Sequence, residues 1–228
     1  MSLLRISFVL TIVALLSRGL GLVRDIAITF VHGDTLATDS FYAATSLTYA
    51  AYIVVGASLT SVTVPYLRET ADGSGRDAEL RAISSILNVT ALLLVALAML
   101  GMFYSDVVAH ALVGERGAEI TAGFIFILMP SIILLGSAGI LSGILNQSRV
   151  FFPVSAAPAM LNIFVIVAVL IPWGVNDIRT VLLGTLAGSV AFFLIQIPRL
   201  HGVNYRHTWR IRSEKRHFAR FFGPAMPI

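Results

Sequence analysis

Apolar stretches of about 20 residues, the length that crosses a bilayer, recur along this chain and constrain its fold more than any other feature. Hydrophobic residues make up 57% of its 228 residues and charged residues 12%, and the mean hydropathy is +0.88. The stretches are continuous and lack the alternation of barrel strands, so they predict helices. We expect an all-α polytopic membrane protein with six transmembrane helices and the start of a seventh. The predicted spans are 2–31, 39–66, 83–104, 119–145, 154–172 and 180–197, and the seventh begins at Phe221.

Basic residues fall almost entirely on one side of these spans. With the N-terminus in the cytoplasm, 12 of the 16 lysines and arginines lie inside and only Arg116 and Arg179 lie outside, while Arg18 and Arg24 stay within the membrane. This asymmetry follows the positive-inside rule and predicts a cytoplasmic N-terminus. It also accounts for the sequence pI of about 9.8, so nucleic-acid binding is not needed to explain the charge.

Three segments are expected along the chain: a six-helix transmembrane lobe at 1–198, a basic cytoplasmic segment at 199–220, and the start of the seventh helix at 221–228. In the basic segment, Trp209, Ile211 and Phe218 lie among arginines, which is typical of an amphipathic helix on anionic headgroups. Ordinary positive-inside bias explains the same residues equally well.

The first predicted helix carries Arg18, Arg24 and Asp25 within its apolar sequence. On a helix with 100° per residue, these charges share one side with small and hydroxyl residues, while leucine, valine and isoleucine largely take the rest. Charges in a membrane helix are costly and usually functional. Arg18 and Arg24 lie about 9 Å apart along the helix axis. Two guanidinium groups at that spacing suit a large anion such as a diphosphate.

A second interpretation of this region stays open. Residues 6–16 resemble the apolar region of a signal peptide, and residues 18–25 would then form a loop. Against it, no small-residue cleavage site follows promptly, and apolar residues resume through Val31. A continuous helix over residues 2–31 is long enough to span the membrane with tilt.

Other spans contain interruptions that a membrane anchor does not need. Glycine and small residues let helices approach closely, and proline or glycine breaks form bends and cavity walls in transporters. Hydroxyl groups also line the second span. The residues are Tyr49, Tyr52, Gly56 and Pro65 in the second span, Pro130, Gly136, Gly139 and Gly143 in the fourth, and Pro158 and Asn162 in the fifth. Together with the charges of the first helix, they favour a solute pathway.

No metal, cofactor or catalytic site is predicted. The chain has no cysteine, which excludes disulfides and thiolate metal sites. Its five histidines are scattered and show no ligand spacing such as HExxH. No GxxxxGK[ST] motif is present, which argues against ATP use by this chain itself.

Ordered motifs along the chain resemble one known family. Near the N-terminus they are residues 17–25 (SRGLGLVRD) and 37–41 (ATDSF), and Val64-Pro65 ends the second span. Further on they are residues 143–146 (GILN), Phe152-Pro153, Ala157-Pro158, residues 161–163 (LNI) and residues 223–225 (GPA). In this order they resemble the MurJ/MviN-type lipid II flippases of the MOP exporter superfamily, and the resemblance covers the whole chain.

The resemblance implies one lobe of a 14-helix transporter in the bacterial cytoplasmic membrane. Such a transporter moves undecaprenyl-diphosphate-linked peptidoglycan precursor across the membrane through a positively charged cavity by alternating access. Arg18 and Arg24 would then bind the diphosphate, and Asp25 and Asp39 would pair with them when no substrate is present. Cavity-lining or hinge roles are expected for Ser17, Gly21, Tyr49, Tyr52, Gly56, Pro65, Asn146, Pro158 and Asn162.

Two departures from the family leave alternatives open. Family members commonly carry an arginine pair and a glutamate in the second helix, where this chain reads AAYIVVG at 50–56. A less basic cavity suits another prenyl-diphosphate-linked polysaccharide unit as an alternative cargo. The 228 residues also hold only a first lobe. The chain is then a fragment, a half-transporter that pairs with a second lobe from itself or another chain, or a non-transporting lobe that binds lipid or a partner.

Two other classes of function compete with a flippase. A drug or cation exporter of the same superfamily would need carboxylates in its cavity, whereas the first helix has an excess of arginine. A membrane enzyme acting on prenyl diphosphates usually needs clustered carboxylates for Mg²⁺ or a catalytic histidine. Asp72, Asp77 and Glu79 form the acidic cluster on the cytoplasmic side, but they alternate with arginines in the manner of a solvated loop. We therefore expect a transporter.

Overall fold

A computed structural model of the chain describes residues 3–61, 63, 76–171, 177–202 and 207, and regular structure in these ranges is entirely helical. The helices are α1 Leu3–His32, α2 Leu36–Ala51, α3 Arg76–Phe103, α4 Ser105–Val113, α5 Ala118–Leu128, α6 Pro130–Gln147, α7 Phe152–Leu170, α8 Ile178–Leu194 and α9 Ile197–Gly202. A π-helical turn, Tyr52–Gly56, follows α2, and the helix continues to Ser61. The prediction of an all-α fold is confirmed.

Among the described residues, five stretches are long and apolar enough to cross a membrane: Leu36–Ser61, Ile83–Phe103, Pro130–Gln147, Phe152–Leu170 and Ile178–Leu200. They match the second to sixth predicted spans, and α1 matches the first. Because α1 runs unbroken through residues 18–25, the interpretation of these residues as a loop is wrong. The predicted start of a seventh helix at 221–228, most of the basic segment and Pro65 lie outside the described residues.

Two features between the third and fifth spans differ from the prediction. The fourth span is divided into α5 and α6 at Met129, because Pro130 has no amide hydrogen to donate to the carbonyl four residues earlier. Met129 keeps helical angles of φ −52° and ψ −40°, so the chain continues as a helix with one bond missing. Helix α4 was not predicted, and it buries Ser105 and Ala109 in a segment assigned to a loop.

Helix α6 is the central element of the described bundle. In α6, 72% of the membrane-length stretch is buried inside the bundle, against 28–44% for the other apolar stretches. It contacts α3, α8 and the π turn, while α7 packs along α1 and α8, and α2 packs on α5. The main apolar core lies where these helices meet and includes Ile125, Leu128 and Leu135.

Glycine brings helix backbones into contact at two seams. A Cβ atom at Gly139 of α6 would lie 2.9 Å from Cα of Gly56, and one at Gly188 of α8 would lie 2.9 Å from Cα of Leu161 in α7. At the first seam the Thr60 hydroxyl oxygen lies 2.9 Å from the Gly56 carbonyl oxygen and 2.8 Å from that of Gly139. These seams fix the spacing of α2, α6, α7 and α8 around the cavity described below.

We expect Gly139→Ala to lower the thermal unfolding midpoint of the detergent-purified chain by about 3 to 6 °C. Alanine is favoured over glycine in a helix by about 1 kcal/mol. At this position, however, its methyl group would overlap the Gly56 carbonyl group, and overpacking costs about 1–3 kcal/mol.

The matched control is Gly123→Ala in α5, where no atom lies within 4 Å of the added Cβ. This variant should melt at the wild-type temperature or above it. Equal midpoints for Gly139→Ala and the wild type would contradict the proposed backbone contact.

Candidate functional site

A cavity of about 570 Å³ lies between α1, α2, α6, α7 and α8. Its wall combines cationic, hydroxyl, amide and aromatic side chains from helices far apart in the sequence. The lining residues are Ala14, Ser17, Arg18, Gly21, Arg24, Tyr49, Tyr52, Leu135, Ser155, Pro158, Leu161, Asn162 and Phe192. Eight of the residues singled out in the sequence therefore meet at one cavity.

Helix α1 supplies the cationic wall because its polar residues recur every three or four positions. Ser17, Gly21 and Arg24 lie along one line of the helix, and Arg18 is adjacent to it. Arg18 is exposed and forms no hydrogen bond or ion pair with any residue that the structure describes. The hydroxyl of Ser17 is buried and, among the same residues, has no hydrogen-bond partner. Of the two side chains, the exposed Arg18 is thus the one available to a ligand.

Arg24, in contrast, is held by three side chains of the protein. Its Nε and one terminal nitrogen donate to Oδ1 of Asp25 at 2.9 and 2.8 Å. The other terminal nitrogen donates to the Tyr49 hydroxyl at 2.7 Å and to Oδ1 of Asn162 at 3.0 Å. The Arg24 side chain is 16% exposed and that of Asp25 is 46% exposed, so the ion pair lies at the cavity rim.

Asn162 connects α7 to α1 at two points. Besides accepting from Arg24, it donates from Nδ2 to the backbone carbonyl of Ser17 at 3.1 Å. Gly21 lies beside this amide, since a Cβ there would make an ordinary van der Waals contact 3.5 Å from Nδ2. The Asn162 side chain is buried, which makes both hydrogen bonds internal to the helix interface.

Aromatic residues from α2, the π turn and α8 form one side of the cavity. Cζ of Arg24 lies 5.7 Å from the centre of the Tyr49 ring, within cation–π distance. The Tyr52 ring meets Phe192 of α8 edge to face, with 5.5 Å between centroids. Tyr52 also opens the π turn, a feature that often occurs at functional sites.

Pro158 and Ser155 complete the α7 wall. A proline inside a helix has no amide hydrogen, so the Val154 carbonyl lacks its donor four residues on. Ser155, Pro158 and Asn162 follow at intervals of three and four residues and therefore share one face. The sequence analysis missed Ser155, and this spacing from Pro158 and Asn162 was the available signal. Leu135 and Phe192 were also missed, because an apolar wall residue has the same sequence signature as a core residue.

Three of the predicted site residues lie elsewhere, and a fourth is not among the described residues. Asp39 lines a separate cavity of about 520 Å³ with Asp34 and Arg116, about 15 Å along α2 from Tyr49. Gly56 is buried against the Tyr52 ring and α6, so it sets helix spacing. Asn146 lies in the last turn of α6, where its carbonyl accepts from the Arg149 amide at 3.1 Å. The remaining residue, Pro65, lies outside the described ranges.

The arrangement as a whole suits an amphiphilic anion. Arginines bind phosphate groups strongly through paired N–H donors. The opposite wall of leucine, proline and phenylalanine offers apolar contact to the rest of a ligand.

Comparison with known proteins identifies relatives over most of the chain. The model of the family described as lipid II flippase MurJ matches residues 27–228. The lipid II flippase MurJ of Burkholderia cenocepacia is 26% identical over 198 residues, covering 83% of this chain and 38% of that protein. That of Thermosipho africanus is 26% identical over 212 residues, covering 91% of this chain and 44% of that protein. The chain thus spans less than half the length of these relatives.

A solved structure has the same fold. It is a lipid II flippase MurJ in an inward closed conformation, with a TM-score of 0.79 and 23% identity, covering 95% of this chain and 46% of that one. Because the family model matches all but the first 26 residues, the chain belongs to the lipid II flippase MurJ family.

Proposed function

We propose that this chain is one lobe of a flippase that moves lipid II, the undecaprenyl-diphosphate-linked peptidoglycan precursor, across the cytoplasmic membrane. The observation that carries the proposal is the cavity in which α1 presents Arg18 and Arg24 to a space of about 570 Å³. The lobe acts by alternating access and as a transporter, with no catalytic residue of its own.

Arg18 and Arg24 bind the diphosphate in this proposal, but they begin from different states. Arg18 is exposed and has no partner among the described residues, so it is the first contact for an anion. Arg24 must exchange a partner first, and Asp25 is the more exposed of the groups that hold it. Asp25 is therefore the charge partner of Arg24 in the substrate-free cavity. Asp39, in its own cavity near Arg116, does not reach Arg24 in this arrangement and would pair with it only after α2 moves.

A second lobe completes the pathway. The relatives are more than twice as long as this chain, which covers 38–44% of them. Further length of the same protein, a second copy of the chain or a different chain would supply the other wall of the cavity. Membrane lipids surround the outer faces, where large apolar side chains such as Phe30 and Phe103 are exposed.

Another prenyl-diphosphate-linked polysaccharide unit is the second candidate cargo. The part of α2 that faces the cavity contributes Tyr49 and Tyr52 and no cation. A cavity with two arginines on one helix recognises the diphosphate, which these cargoes share, and leaves the choice of glycan to other surfaces.

We expect Arg18→Ala and Arg24→Ala each to weaken binding of undecaprenyl diphosphate about 10- to 100-fold. Each removes charge-assisted hydrogen bonds worth roughly 1.5–3 kcal/mol. Native mass spectrometry of the detergent-purified chain with graded amounts of the lipid measures the effect.

Arg179→Ala is the matched control, since Arg179 is an exposed arginine at the start of α8 and outside the cavity lining. It should bind the lipid as the wild type does. Equal losses at Arg179 and Arg18 would mean that binding reflects overall charge, and the proposed site would be wrong.

Asp25→Asn should strengthen binding of the same lipid by about 3- to 10-fold. The carboxylate that competes with the diphosphate for Arg24 is replaced by a neutral group of the same size. Weaker binding in the same mass-spectrometric assay would show that Asp25 supports the substrate complex and does not compete with it.

The proposed orientation places residue 115 outside the cell and residue 149 inside. Because the chain has no cysteine, Glu115→Cys and Arg149→Cys each introduce a single thiol. In intact cells a membrane-impermeant maleimide should label position 115 at once and position 149 only after permeabilisation. The reverse pattern would place the N-terminus outside.

A further inference from the structure

We infer that Asn162 is a positioning residue that holds the Arg24 guanidinium in place, so that an arriving diphosphate displaces Asp25 and does not move the arginine. The inference rests on the proposed function, because it concerns the same cationic cavity. It assigns to Asn162 a role in the affinity of the site, in addition to its place in the wall.

The first support is the hydrogen-bond inventory of Arg24. A guanidinium has five N–H donors. Two of them reach Asp25, one reaches Tyr49 and one reaches Asn162. A diphosphate needs at least two adjacent donors for a paired contact, so it can bind Arg24 only when a present partner leaves.

Exposure decides which partner leaves. The Asp25 side chain is 46% exposed, whereas Asn162 is 7% exposed. Asp25 gains full hydration when it turns towards water, while Asn162 would have to abandon two hydrogen bonds inside a helix interface. The nitrogen atoms on the Asp25 side are thus the exchangeable ones, and the nitrogen held by Asn162 and Tyr49 is the fixed one.

The second bond of Asn162 fixes the orientation of its amide. The Ser17 carbonyl only accepts hydrogen bonds and the Arg24 guanidinium only donates them. Rotating the amide by 180° would therefore place donor against donor and acceptor against acceptor. Its oxygen is held towards Arg24 by the Ser17 carbonyl of α1, which lies about two helical turns before Arg24 on the same face.

A neutral acceptor is also the suitable chemistry at this position. An aspartate would accept from the guanidinium, but it has no donor for the Ser17 carbonyl and would cancel the charge of Arg24 before the anion arrived. Asparagine satisfies the donor and leaves the positive charge of Arg24 to be neutralised by Asp25 or by the ligand. The pairing of one exposed carboxylate with one buried amide makes Arg24 both ordered and available.

A double-mutant cycle distinguishes positioning from a general structural role. Undecaprenyl diphosphate binding is measured by native mass spectrometry for the wild type, Asn162→Ala, Arg24→Ala and the double variant. We expect Asn162→Ala to weaken binding about 10-fold when Arg24 is present and less than about twofold when Arg24 is absent, as for residues in direct contact. The same factor in both backgrounds would overturn the inference.

Two further variants control for folding and for polarity. Ser189→Ala removes a buried hydroxyl that lies outside the cavity and donates to the Thr185 carbonyl. This variant should leave binding unchanged. Asn162→Asp keeps the acceptor and preserves a polar side chain if the alanine variant does not fold. It should bind the diphosphate at least as weakly as Asn162→Ala does, because its charge competes with the ligand. Wild-type binding by Asn162→Asp would overturn the inference.

A readout without lipid separates this inference from the proposed function. If the wild type does not bind undecaprenyl diphosphate, the proposed function fails, yet the state of Arg24 can still be observed. In the ¹⁵N-arginine-labelled chain, the terminal N–H groups of Arg24 should give separate, slowly exchanging NMR signals, identified by their loss in Arg24→Ala. These signals should merge in Asn162→Ala. Unchanged signals would show that Asn162 does not hold the guanidinium.

Discussion

The Arg24 guanidinium is the interaction on which the cavity wall depends. A cation within an apolar helix bundle is stable only when its donors are hydrogen-bonded and its charge is balanced. Asp25, Tyr49 and Asn162 meet both needs, and they come from α1, α2 and α7. One side chain therefore ties three helices together. Arg18, about one and two-thirds turns earlier, makes no such bonds among the described residues and remains open to a ligand.

Close helix packing holds the residues of this hydrogen-bond network in position. The contact of Gly139 with Gly56 holds α2 against the central helix α6, and the contact of Gly188 with Leu161 holds α8 against α7. Leu161 and Asn162 are adjacent in the sequence. The contact of Leu161 with Gly188 on one face of α7 therefore determines how far the Asn162 amide, on the next face, extends towards α1. Backbone contact at a glycine leaves little freedom to slide, and this rigidity is what a site built from distant helices needs.

The sequence predicted the helical class, the first helix with its charges, and eight of the cavity residues. The helical class and the first helix could be predicted because membrane helices have a strong length signal. The eight residues were singled out by a shared helix face and by the family resemblance, and their roles stay predictions. The short helix α4 was missed because nine residues are too few for that signal. The π turn at Tyr52–Gly56 and the two hydrogen bonds of Asn162 depend on tertiary contact with α6 and α1, and no local pattern encodes them. Asp39 was grouped with the arginines by resemblance alone, whereas the structure gives it a separate cavity.

The π turn after α2 also changes which way the rest of that helix faces. A π turn accommodates one extra residue, and one residue of an α-helix corresponds to a rotation of about 100°. The two halves of the second span are therefore out of phase. Tyr49 before the turn and Tyr52 at its first residue face the cavity, while Thr60 and Thr63 after the turn face α6. A single membrane-spanning segment thus serves as cavity wall over one half of its length and as an anchor to the central helix over the other.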